Sequence, residues 1–382
     1  MKFRVERDVL ADAVAWTART LPVRPPVPVL AGLLLEVDTD GGQTLALSSF
    51  DYEVSAAVSV EIAASEGGRT LVSGRLLAEI TRSLPAQPVD IMTEGARMVV
   101  TCGTARFTLP TLPVDDYPSL PDMPAASGLI GSDAFATAVA QVAVAAGRDD
   151  TLPVLTGVRV EIDGDRLTLA ATDRYRLAVR ELTWQPGTDG LSATALVPAK
   201  TLADTAKSLA SGAEITIALA TGGSGEGMVG FEGAGRRTTT RLLEGEFPKY
   251  RSLFPAAHAA VAELPTAVFV EAVRRVSLVA PRNSSVRLGF SADGLVLEAG
   301  GGEDAQASEG LDCSYEGEPM TIAFNPAYLL DGLGAIDSDT AVVSFTTPSK
   351  PAVLTGKRSG DDGGAAGSGD YSYLLMPVRL SG

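Results

Sequence analysis

The chain has 382 residues, 45% of them hydrophobic, which is enough for two or three domains with their own cores. Its 47 acidic and 31 basic residues give a net charge of −16, which excludes binding of nucleic acid through most of the surface. The two cysteines, Cys102 and Cys313, lie too far apart in sequence to suggest a disulfide framework or a metal cluster, and they suit a reducing compartment. The opening MKFRVERDVL lacks the apolar run of a secretory signal, and no stretch has the apolar length of a membrane span, so we expect a cytoplasmic protein.

The same block of sequence occurs more than once in the chain. Residues 27–32 read VPVLAG and residues 152–157 read LPVLTG, an offset of 125. Alternating apolar and polar residues follow both blocks, and a weaker third copy begins at Val286. Each copy places Asp-Gly between two apolar runs, which predicts β-hairpins at Asp40-Gly41, Asp163-Gly164 and Asp293-Gly294.

Two helical patterns accompany the strands of every copy. The first begins near residues 6, 132 and 266, with apolar side chains three and four residues apart and with Ser132 as a predicted N-cap. The second begins near residues 72, 197 and 324, after the first strands of each copy. The order helix, strands, helix, strands therefore predicts an α+β fold built from three repeated domains.

We place these domains at residues 1–124, 125–254 and 255–382. The proline-rich residues 110–124 and the segment at residues 254–265 are predicted linkers between them. Residues 359–370 read SGDDGGAAGSGD, a composition that predicts a flexible loop.

Residue patterns of an enzyme active site are missing. The one histidine, His258, lies in the second predicted linker with no nucleophile near it in sequence, so we expect it to be exposed rather than catalytic. Residues 225–230, GEGMVG, have the spacing of a dinucleotide-binding loop. Because the following FEGAGRRTTTRLL is typical of a strand rather than a helix, a hairpin turn is the prediction. We expect no catalytic residue, no metal and no cofactor.

Basic residues are concentrated near the predicted helices. Six helical windows contain 11 basic and 7 acidic residues, against 31 and 47 in the whole chain. Lys and Arg are good helix formers with solvated tips, which is one explanation of the excess. The other is that the helices share a face that contacts the phosphates of a nucleic acid without reading its sequence. The residues assigned to such a face are Arg24, Arg75, Arg82, Arg148, Lys200, Lys207, Arg274, Arg275 and Arg282.

With this threefold pattern, the sequence resembles the β sliding clamp family of bacterial DNA polymerase III. Three segments carry the resemblance, namely ATDRYRLAV at residues 171–179, EFPKY at residues 246–250 and MPVRL at residues 376–380. The resemblance covers almost the whole chain and implies the DNA clamp fold, with two helices packed on β-sheets in each domain. It also implies a head-to-tail homodimer, a closed ring of six domains whose helices line a hole for duplex DNA. Such a ring tethers the replicative polymerase as a non-catalytic processivity factor.

The resemblance also assigns residues to the joint of the ring, which a clamp-loader ATPase would open. Phe107 and Leu109 match one side of the joint, in the first domain, and Leu278 in the third domain is the counterpart. An exposed edge strand needs a partner or a cover, so strand pairing across the joint is physically reasonable. An ordinary place in the core is the alternative for all three residues.

A partner-binding pocket between the second and third domains is a further implication. Its apolar residues would hold the anchors of an extended peptide from a replicative or repair polymerase, and its arginines would lie at the rim. The same pocket would be the target of peptide antibiotics. Leu155, Leu177 and Val378 are also typical core residues. The matching residues are Leu155, Thr172, Arg174, Tyr175, Arg176, Leu177, Pro248, Met376, Pro377, Val378, Arg379 and Leu380.

Arg174 and Tyr175 depart from the family pattern, because some relatives have small or imidazole side chains there. This predicts a bulkier and more basic rim. Three functions remain open from the sequence: a replication clamp, a clamp copy that resists a pocket-binding peptide antibiotic, and a hydrolase or transferase built on repeats. The last lacks any catalytic triad, metal set or phosphate loop in the sequence.

Overall fold

The computed structural model of the chain describes residues 1–39, 43–220, 227–281, 284–301, 305–357 and 370–379. Within these residues there are six α-helices, two in each copy of the repeat. They are α1 (Arg7–Thr17), α2 (Gly74–Ser83), α3 (Ser132–Ala143), α4 (Ala199–Leu209), α5 (Thr266–Ser277) and α6 (Pro326–Gly334). The α+β class with three repeated domains is confirmed.

Each copy contributes nine strands within the described part of the chain. The first copy has β1 (Lys2–Val5), β2 (Gly32–Asp38), β3 (Thr44–Phe50), β4 (Val54–Glu61), β5 (Ala63–Glu66), β6 (Gly68–Ser73), β7 (Val89–Glu94), β8 (Arg97–Cys102) and β9 (Ala105–Leu112). The second has β10 (Gly128–Gly131), β11 (Gly157–Asp163), β12 (Arg166–Thr172), β13 (Arg176–Thr183), β14 (Gln185–Pro186), β15 (Ser192–Pro198), β16 (Glu214–Leu219), β17 (Met228–Gly233) and β18 (Arg236–Arg241). The third has β19 (Ala260–Pro265), β20 (Val286–Ser291), β21 (Gly294–Gly300), β22 (Gln306–Leu311), β23 (Ser314–Glu316), β24 (Met320–Phe324), β25 (Thr340–Phe345), β26 (Ala352–Lys357) and β27 (Tyr371–Leu375).

The chain divides into two compact units that contain different sheets. The first unit comprises Met1–Asp133, Gln185–Thr188 and Asp204–Leu242, and the second comprises Ala134–Trp184, Asp189–Ala203 and Leu243–Gly382. The first unit holds a 14-stranded sheet in the order β14-β10-β16-β17-β18-β4-β3-β2-β6-β9-β8-β7-β1-β5. The second holds a nine-stranded sheet, β15-β11-β12-β13-β27-β26-β25-β19-β23, and a four-stranded sheet, β22-β21-β20-β24.

The units do not follow the copies, because the sheets continue from one copy into the next. In the first unit, β4 pairs antiparallel with β18, with Val54 opposite Thr240. In the second unit, β13 pairs antiparallel with β27, with Arg176 opposite Leu375. The central copy therefore gives strands to both units. The domain limits at residues 124 and 254 remain a prediction.

The helices are held by their apolar faces. In the first copy, Leu10 and Val14 of α1 and Leu77 of α2 belong to one buried cluster with Leu35 and Leu47 of the sheet. Full burial of such a side chain stabilises the fold by about 1.5–3 kcal/mol, so this cluster accounts for the packing of both helices on the sheet.

The third copy repeats this arrangement in the second unit. Phe269 and Val273 of α5 and Leu329 and Leu333 of α6 are buried, and the two helices contact each other. Asn325 caps α6, because its side chain accepts hydrogen bonds from the backbone N–H groups of Ala327 at 2.9 Å and Tyr328 at 3.3 Å.

The hairpin predictions are confirmed where the structure describes the turn. Asp163 pairs with Arg166, so the two turn residues are Gly164 and Asp165, one position later than Asp-Gly, and Gly164 has φ +61°, a conformation that favours glycine. In the third copy Ser291 pairs with Gly294, so the two turn residues are Ala292 and Asp293, one position earlier than Asp-Gly. Asp40-Gly41 lies outside the described residues, although β2 and β3 on either side of it are paired. GEGMVG is described from residue 227 onward, where β17 and β18 form the predicted strand structure.

Other local predictions were wrong. Ser132 is the first residue of α3 rather than its N-cap, and its hydroxyl donates to the carbonyl oxygen of Gly212. The predicted linkers overlap strands: Pro110 lies in β9 opposite Arg97, and Pro265 ends β19. Pro110 is tolerated because the strand on its other side pairs only from residue 111 onward. His258 is half-buried rather than exposed, and residues 359–369 of the predicted loop lie outside the described part of the chain.

Candidate functional site

A cavity of about 500 Å³ opens in the second unit. Four segments form it: the end of the α3 region, the LPVL block, the turn between β12 and β13, and α6. Of the predicted pocket residues it brings together Leu155, Arg174, Tyr175 and Arg176. We call it the Tyr175 cavity; its lining residues are Ala146, Gly147, Arg148, Asp149, Leu152, Leu155, Asp173, Arg174, Tyr175, Arg176, Ala327, Tyr328 and Asp331.

The turn after β12 is fixed by two buried or half-buried side chains. The Asp173 carboxylate accepts hydrogen bonds from the backbone N–H groups of Tyr175 at 3.0 Å and Arg176 at 3.1 Å. Thr172 donates to the carbonyl oxygen of Arg176 at 2.6 Å and accepts from the N–H of Arg174 at 3.2 Å. These bonds hold Arg174 at φ +81°, where a non-glycine residue costs on the order of 1–2 kcal/mol. Thr172 thus positions the turn and does not line the cavity.

Arg176 forms the wall of the cavity rather than its rim. Its side chain is almost fully buried and its Nε lies 3.0 Å from Asp173 Oδ2, while Nη1 donates to Asp331. The guanidinium carbon lies 4.3 Å from the ring centroid of Tyr328. Burial opposes the charge of Arg176, but Tyr373, Asp331 and Asp173 outweigh it and raise its pKa. Arg176 therefore stays charged and joins the turn to α6.

The mouth of the cavity is aromatic and charged. Tyr175 is 55% exposed, and its ring stacks on Tyr328 with centroids 6.3 Å apart. Arg148 and Arg174 are exposed beside it. Hydrogen bonds from the hydroxyl and the N–H of Thr151 lower the pKa of Asp149, which stays ionised. The arrangement can bind a ligand that has apolar anchors and polar ends; the lining residues include no histidine, cysteine or serine to act as a nucleophile or base.

The other predicted pocket residues do not line this cavity. Leu177 is buried in a core cluster with Leu374, as the core alternative predicted. Pro248 is exposed next to Phe247 and Tyr250, whose rings belong to the same cluster. The remaining residues are in the last segment, where Met376, Val378 and Arg379 are exposed and Pro377 is half-buried, and Leu380 lies outside the described residues.

This last segment is nevertheless tied to the cavity. The N–H of Met376 donates to the carbonyl oxygen of Tyr175 at 2.9 Å, which continues the β13–β27 ladder by one bond. The N–H of Val378 donates to the carbonyl oxygen of Ala323 at 2.8 Å. These two hydrogen bonds therefore fix the backbone of exposed Met376 and Val378 next to the turn after β12.

The sequence patterns did not indicate that α6 and residues 148–152 line the Tyr175 cavity. Tyr328 and Asp331 are three residues apart on α6, so one helical face presents both to the cavity. Arg148, predicted to face DNA, also lines the Tyr175 cavity together with Asp149 and Leu152. The available signal was the sequence RDDTLPVL, in which charged residues directly precede the repeated block.

The segment EFPKY is anchored by a carboxylate. Glu161 Oε2 accepts a hydrogen bond from the hydroxyl of Tyr250 at 3.0 Å, and Oε1 accepts from Arg159 at 2.5 Å. Arg251 forms an ion pair with the same carboxylate. Burial opposes the charge of Glu161, but the hydrogen bonds from Arg251, Arg159 and Tyr250 outweigh it and lower its pKa. This network fixes the backbone that carries the exposed Pro248.

The basic residues assigned to DNA differ in their surroundings. Arg75 and Arg82 on α2, and Lys200 and Lys207 on α4, are exposed and seven residues apart, a spacing that puts each pair on one helical face. Arg24 is exposed, and Arg282 lies outside the described residues.

On α5, both basic residues are engaged by carboxylates. Arg274 pairs with Glu271 at 2.6 Å, and Arg275 makes two contacts with Glu309, at 3.1 and 2.5 Å. The charge available on α5 is therefore smaller than the sequence suggests.

The residues predicted at the ring joint lie on or near two strand edges. Residues 105–110 of β9 pair with β8, while β6 reaches β9 only at residues 111 and 112. Phe107 is exposed on this edge, but Leu109 is 1% exposed and belongs to the core, the alternative considered for it. In the second unit β22 is the end strand of the four-stranded sheet, and Leu278 at the end of α5 is 84% exposed.

Some functional classes find no support in the described part of the chain. None of its helices is both long and apolar enough to cross a membrane. Nor does any group of three or more His, Cys, Asp and Glu in the described residues have the arrangement to hold a metal ion.

The three copies, each with two helices against antiparallel strands, define a clamp built from three domains. Three consecutive domain families match the chain: the N-terminal domain of the DNA polymerase III beta subunit at residues 1–121, its central domain at residues 129–249, and its C-terminal domain at residues 251–364. The chain belongs to the DNA polymerase III beta subunit family.

Individual relatives agree with this assignment over their whole length. The beta sliding clamp of Streptomyces coelicolor is 63% identical over 382 residues, and the beta sliding clamp homolog GriR of Streptomyces muensis is 46% identical over 380 residues; both matches cover 100% of each chain. Among solved structures, a DnaN sliding clamp from Pseudomonas aeruginosa bound to griselimycin has a TM-score of 0.90 at 28% identity. A DNA polymerase sliding clamp from Bacillus subtilis has a TM-score of 0.90 at 26% identity, and each of these structures covers 100% of both chains.

Proposed function

We propose that the protein is the processivity clamp of a replicative DNA polymerase, a ring that encircles duplex DNA and performs no chemistry. The observation that carries this proposal is the family membership of all three copies, with 63% identity to a beta sliding clamp over the whole chain. We place the protein in the cytoplasm, where the chromosome is replicated.

The ring consists of two chains joined head to tail. We assign the joint to residues 105–110 of β9 in one chain, which β6 does not pair with, and to the end strand β22 of the other, because both have an edge open for strand pairing. Phe107 contributes from the first side and Leu278 from the second, while Leu109 lies in the core beneath the β9 strand. A clamp-loader ATPase opens this joint.

DNA is held by topology and by contacts with phosphates. Exposed Arg75 and Arg82 on α2 and Lys200 and Lys207 on α4 are candidates for these contacts, together with Arg24 and Arg148. Arg274, Arg275 and Arg282 also remain candidates, and carboxylates already engage the first two. Such contacts carry no sequence information, so the ring slides.

Partners bind through extended peptides at the Tyr175 cavity and on the adjacent last segment. Tyr175 and Tyr328 provide aromatic surface, and Leu155, Met376 and Val378 provide apolar anchor sites. Methionine suits a surface that must accept several partners, which fits both replicative and repair polymerases. Because a related clamp was solved with griselimycin, we propose that this compound competes with the polymerase peptides here.

A resistant clamp copy is the second candidate, with the same fold and ring. Its support is the 46% identity to a beta sliding clamp homolog, which is lower than the 63% identity to a beta sliding clamp. The observations favour the processivity clamp.

A primer-extension assay tests this function. The protein, a bacterial clamp loader, ATP and a replicative polymerase are combined on primed single-stranded DNA, with a heparin trap that limits each polymerase to one binding event. We expect the protein to lengthen the products at least tenfold. Leu278→Asp should abolish the gain by opening the ring, whereas Val268→Asp, at the exposed opposite end of α5, should retain it. Products of equal length with and without the protein would refute the proposal.

A further inference from the structure

A second cavity, of about 590 Å³, lies in the second unit between α3 and α6. Its walls are apolar, and its polar groups include two carboxylates and no cation. We call it the Gln141 cavity; its lining residues are Thr137, Ala140, Gln141, Val144, Leu330, Asp331, Gly334, Ala335, Ile336 and Asp337. None of the functions assigned so far uses it.

One of the lining residues, Gln141, has an unsatisfied buried acceptor. The residue is only 5% exposed, and its Nε2 donates to the carbonyl oxygen of Ala335 at 2.8 Å, which fixes the orientation of the amide. Its Oε1 is buried and has no hydrogen-bond partner among the residues that the structure describes. A buried acceptor of this kind is costly unless a ligand or a water molecule donates to it.

The other lining residues indicate what kind of donor group would bind to Gln141 Oε1. Two carboxylates, Asp331 and Asp337, line the same cavity as Gln141 and give it negative charge. Apolar surface comes from Ala140, Val144 and Ile336. A ligand that suits both must carry a cationic donor on a hydrocarbon body. The described residues do not gather the three or more acidic, histidine or cysteine ligands of a metal site, so an organic cation fits better than a metal ion.

We propose that the Gln141 cavity is a binding site for a protonated alkylamine. The ammonium group donates to Gln141 Oε1 and forms ion pairs with Asp331 and Asp337, and the alkyl chain lies against the apolar walls. Both a free polyamine and a lysine side chain of a protein partner have this chemistry.

The site is connected to the Tyr175 cavity through one side chain. Asp331 lines both cavities, and it also accepts a hydrogen bond from Arg176, the wall of the Tyr175 cavity. An ammonium group at Asp331 competes with Arg176 for this carboxylate. Amine binding therefore loosens the turn at residues 173–176, and a ligand that orders the turn weakens amine binding by the same factor.

Calorimetric titration of the full-length protein with spermidine at low ionic strength tests the site. We expect saturable binding of one spermidine per chain and no binding of 1,8-octanediol, which is of similar length but uncharged. Asp337→Asn should weaken spermidine binding about tenfold, the loss expected for one charge-assisted contact. Asp339→Asn removes the same charge two residues away, from an exposed residue that does not line the cavity, and should change binding less than about twofold.

Three results would overturn the proposal: equal weakening by both asparagine variants, an unchanged affinity in a folded Gln141→Leu protein, or binding of the diol. The peptide acetyl-Ala-Lys-Ala-amide separates the two sources of amine. Binding as tight as that of spermidine identifies a lysine side chain as the ligand, and much weaker binding identifies a free polyamine. Hydrogen exchange at residues 173–176 should accelerate on addition of spermidine; unchanged exchange there would refute the connection through Asp331.

Discussion

The turn after β12 and the turn after β3 share one hydrogen-bond scaffold but differ in their side chains. In the first copy, Asp51 accepts from the N–H groups of Glu53 at 2.9 Å and Val54 at 2.7 Å, as Asp173 does in the second copy. Tyr52 has φ +76°, close to the +81° of Arg174.

The neighbouring copy completes both turns in the same way. The N–H of Arg241 donates to the carbonyl oxygen of Glu53 at 3.0 Å, and the N–H of Met376 donates to that of Tyr175 at 2.9 Å. The repeat therefore supplies the backbone of the turn, whereas the side chains differ between the copies. Where the second copy has Arg176, paired with Asp173 and Asp331, the first has Val54.

The largest difference between the turns should appear on removal of the buried guanidinium. We expect Arg176→Met to lower the free energy of unfolding by about 3 kcal/mol, because two carboxylates lose their cation. Val54→Met, at the equivalent position, should change it by less than about 1 kcal/mol. Urea unfolding followed by circular dichroism measures both, and similar effects in the two turns would contradict the assigned role of Arg176.

A smaller difference should separate the two aspartates. Asp51→Ala removes the acceptor of two backbone N–H groups and should cost about 1 kcal/mol, whereas Asp173→Ala also removes a partner of Arg176 and should cost about 2 kcal/mol or more. Griselimycin binding, as proposed for this protein, should be weakened only by the second variant. Loss of binding in the Asp51 variant would show that the two turns are not independent.

Tyr117 packs with Phe50, the residue before Asp51, and offers a pH-dependent test on the first-copy side of the comparison. Burial, with a contribution from Asp51, raises the pKa of Tyr117 to about 12. The unfolded chain therefore loses this proton near pH 10 while the folded chain keeps it, so stability falls as pH rises from about 10 towards 12. We expect Tyr117→Phe to remove about 1.4 kcal/mol of this loss at pH 11 and nothing at pH 8. Identical stability–pH profiles of wild type and variant above pH 10 would disprove the shift.

The smallest expected effect comes from the left-handed residues. Tyr52→Gly and Arg174→Gly relieve backbone strain but increase the entropy of the unfolded chain, so each should stabilise the protein by less than about 1 kcal/mol. Thermal unfolding of the two variants should give shifts of the same sign. A clear destabilisation by Arg174→Gly alone would mean that the Arg174 side chain stabilises the cavity.

The sequence predicted the six helices, the threefold α+β order and the described hairpins because these depend on local periodicity and turn residues. It misplaced Ser132 and Pro110, whose roles depend on the partner Gly212 and on the strand opposite them. The Tyr175 cavity could be predicted only in part. Arg176 and Asp331 are 155 residues apart and meet because β13 pairs with β27, a pairing that no local pattern in the sequence encodes.

If the protein forms a closed ring around DNA, it should stay on circular DNA and slide off linear DNA. The protein is loaded onto a nicked circle with a clamp loader and ATP, washed in high salt to screen phosphate contacts, and the DNA is then linearised. We predict retention on the circle and loss from the linear form, because only a topological link survives the wash. Release from the circle during the wash, or equal retention on both forms, would contradict the ring.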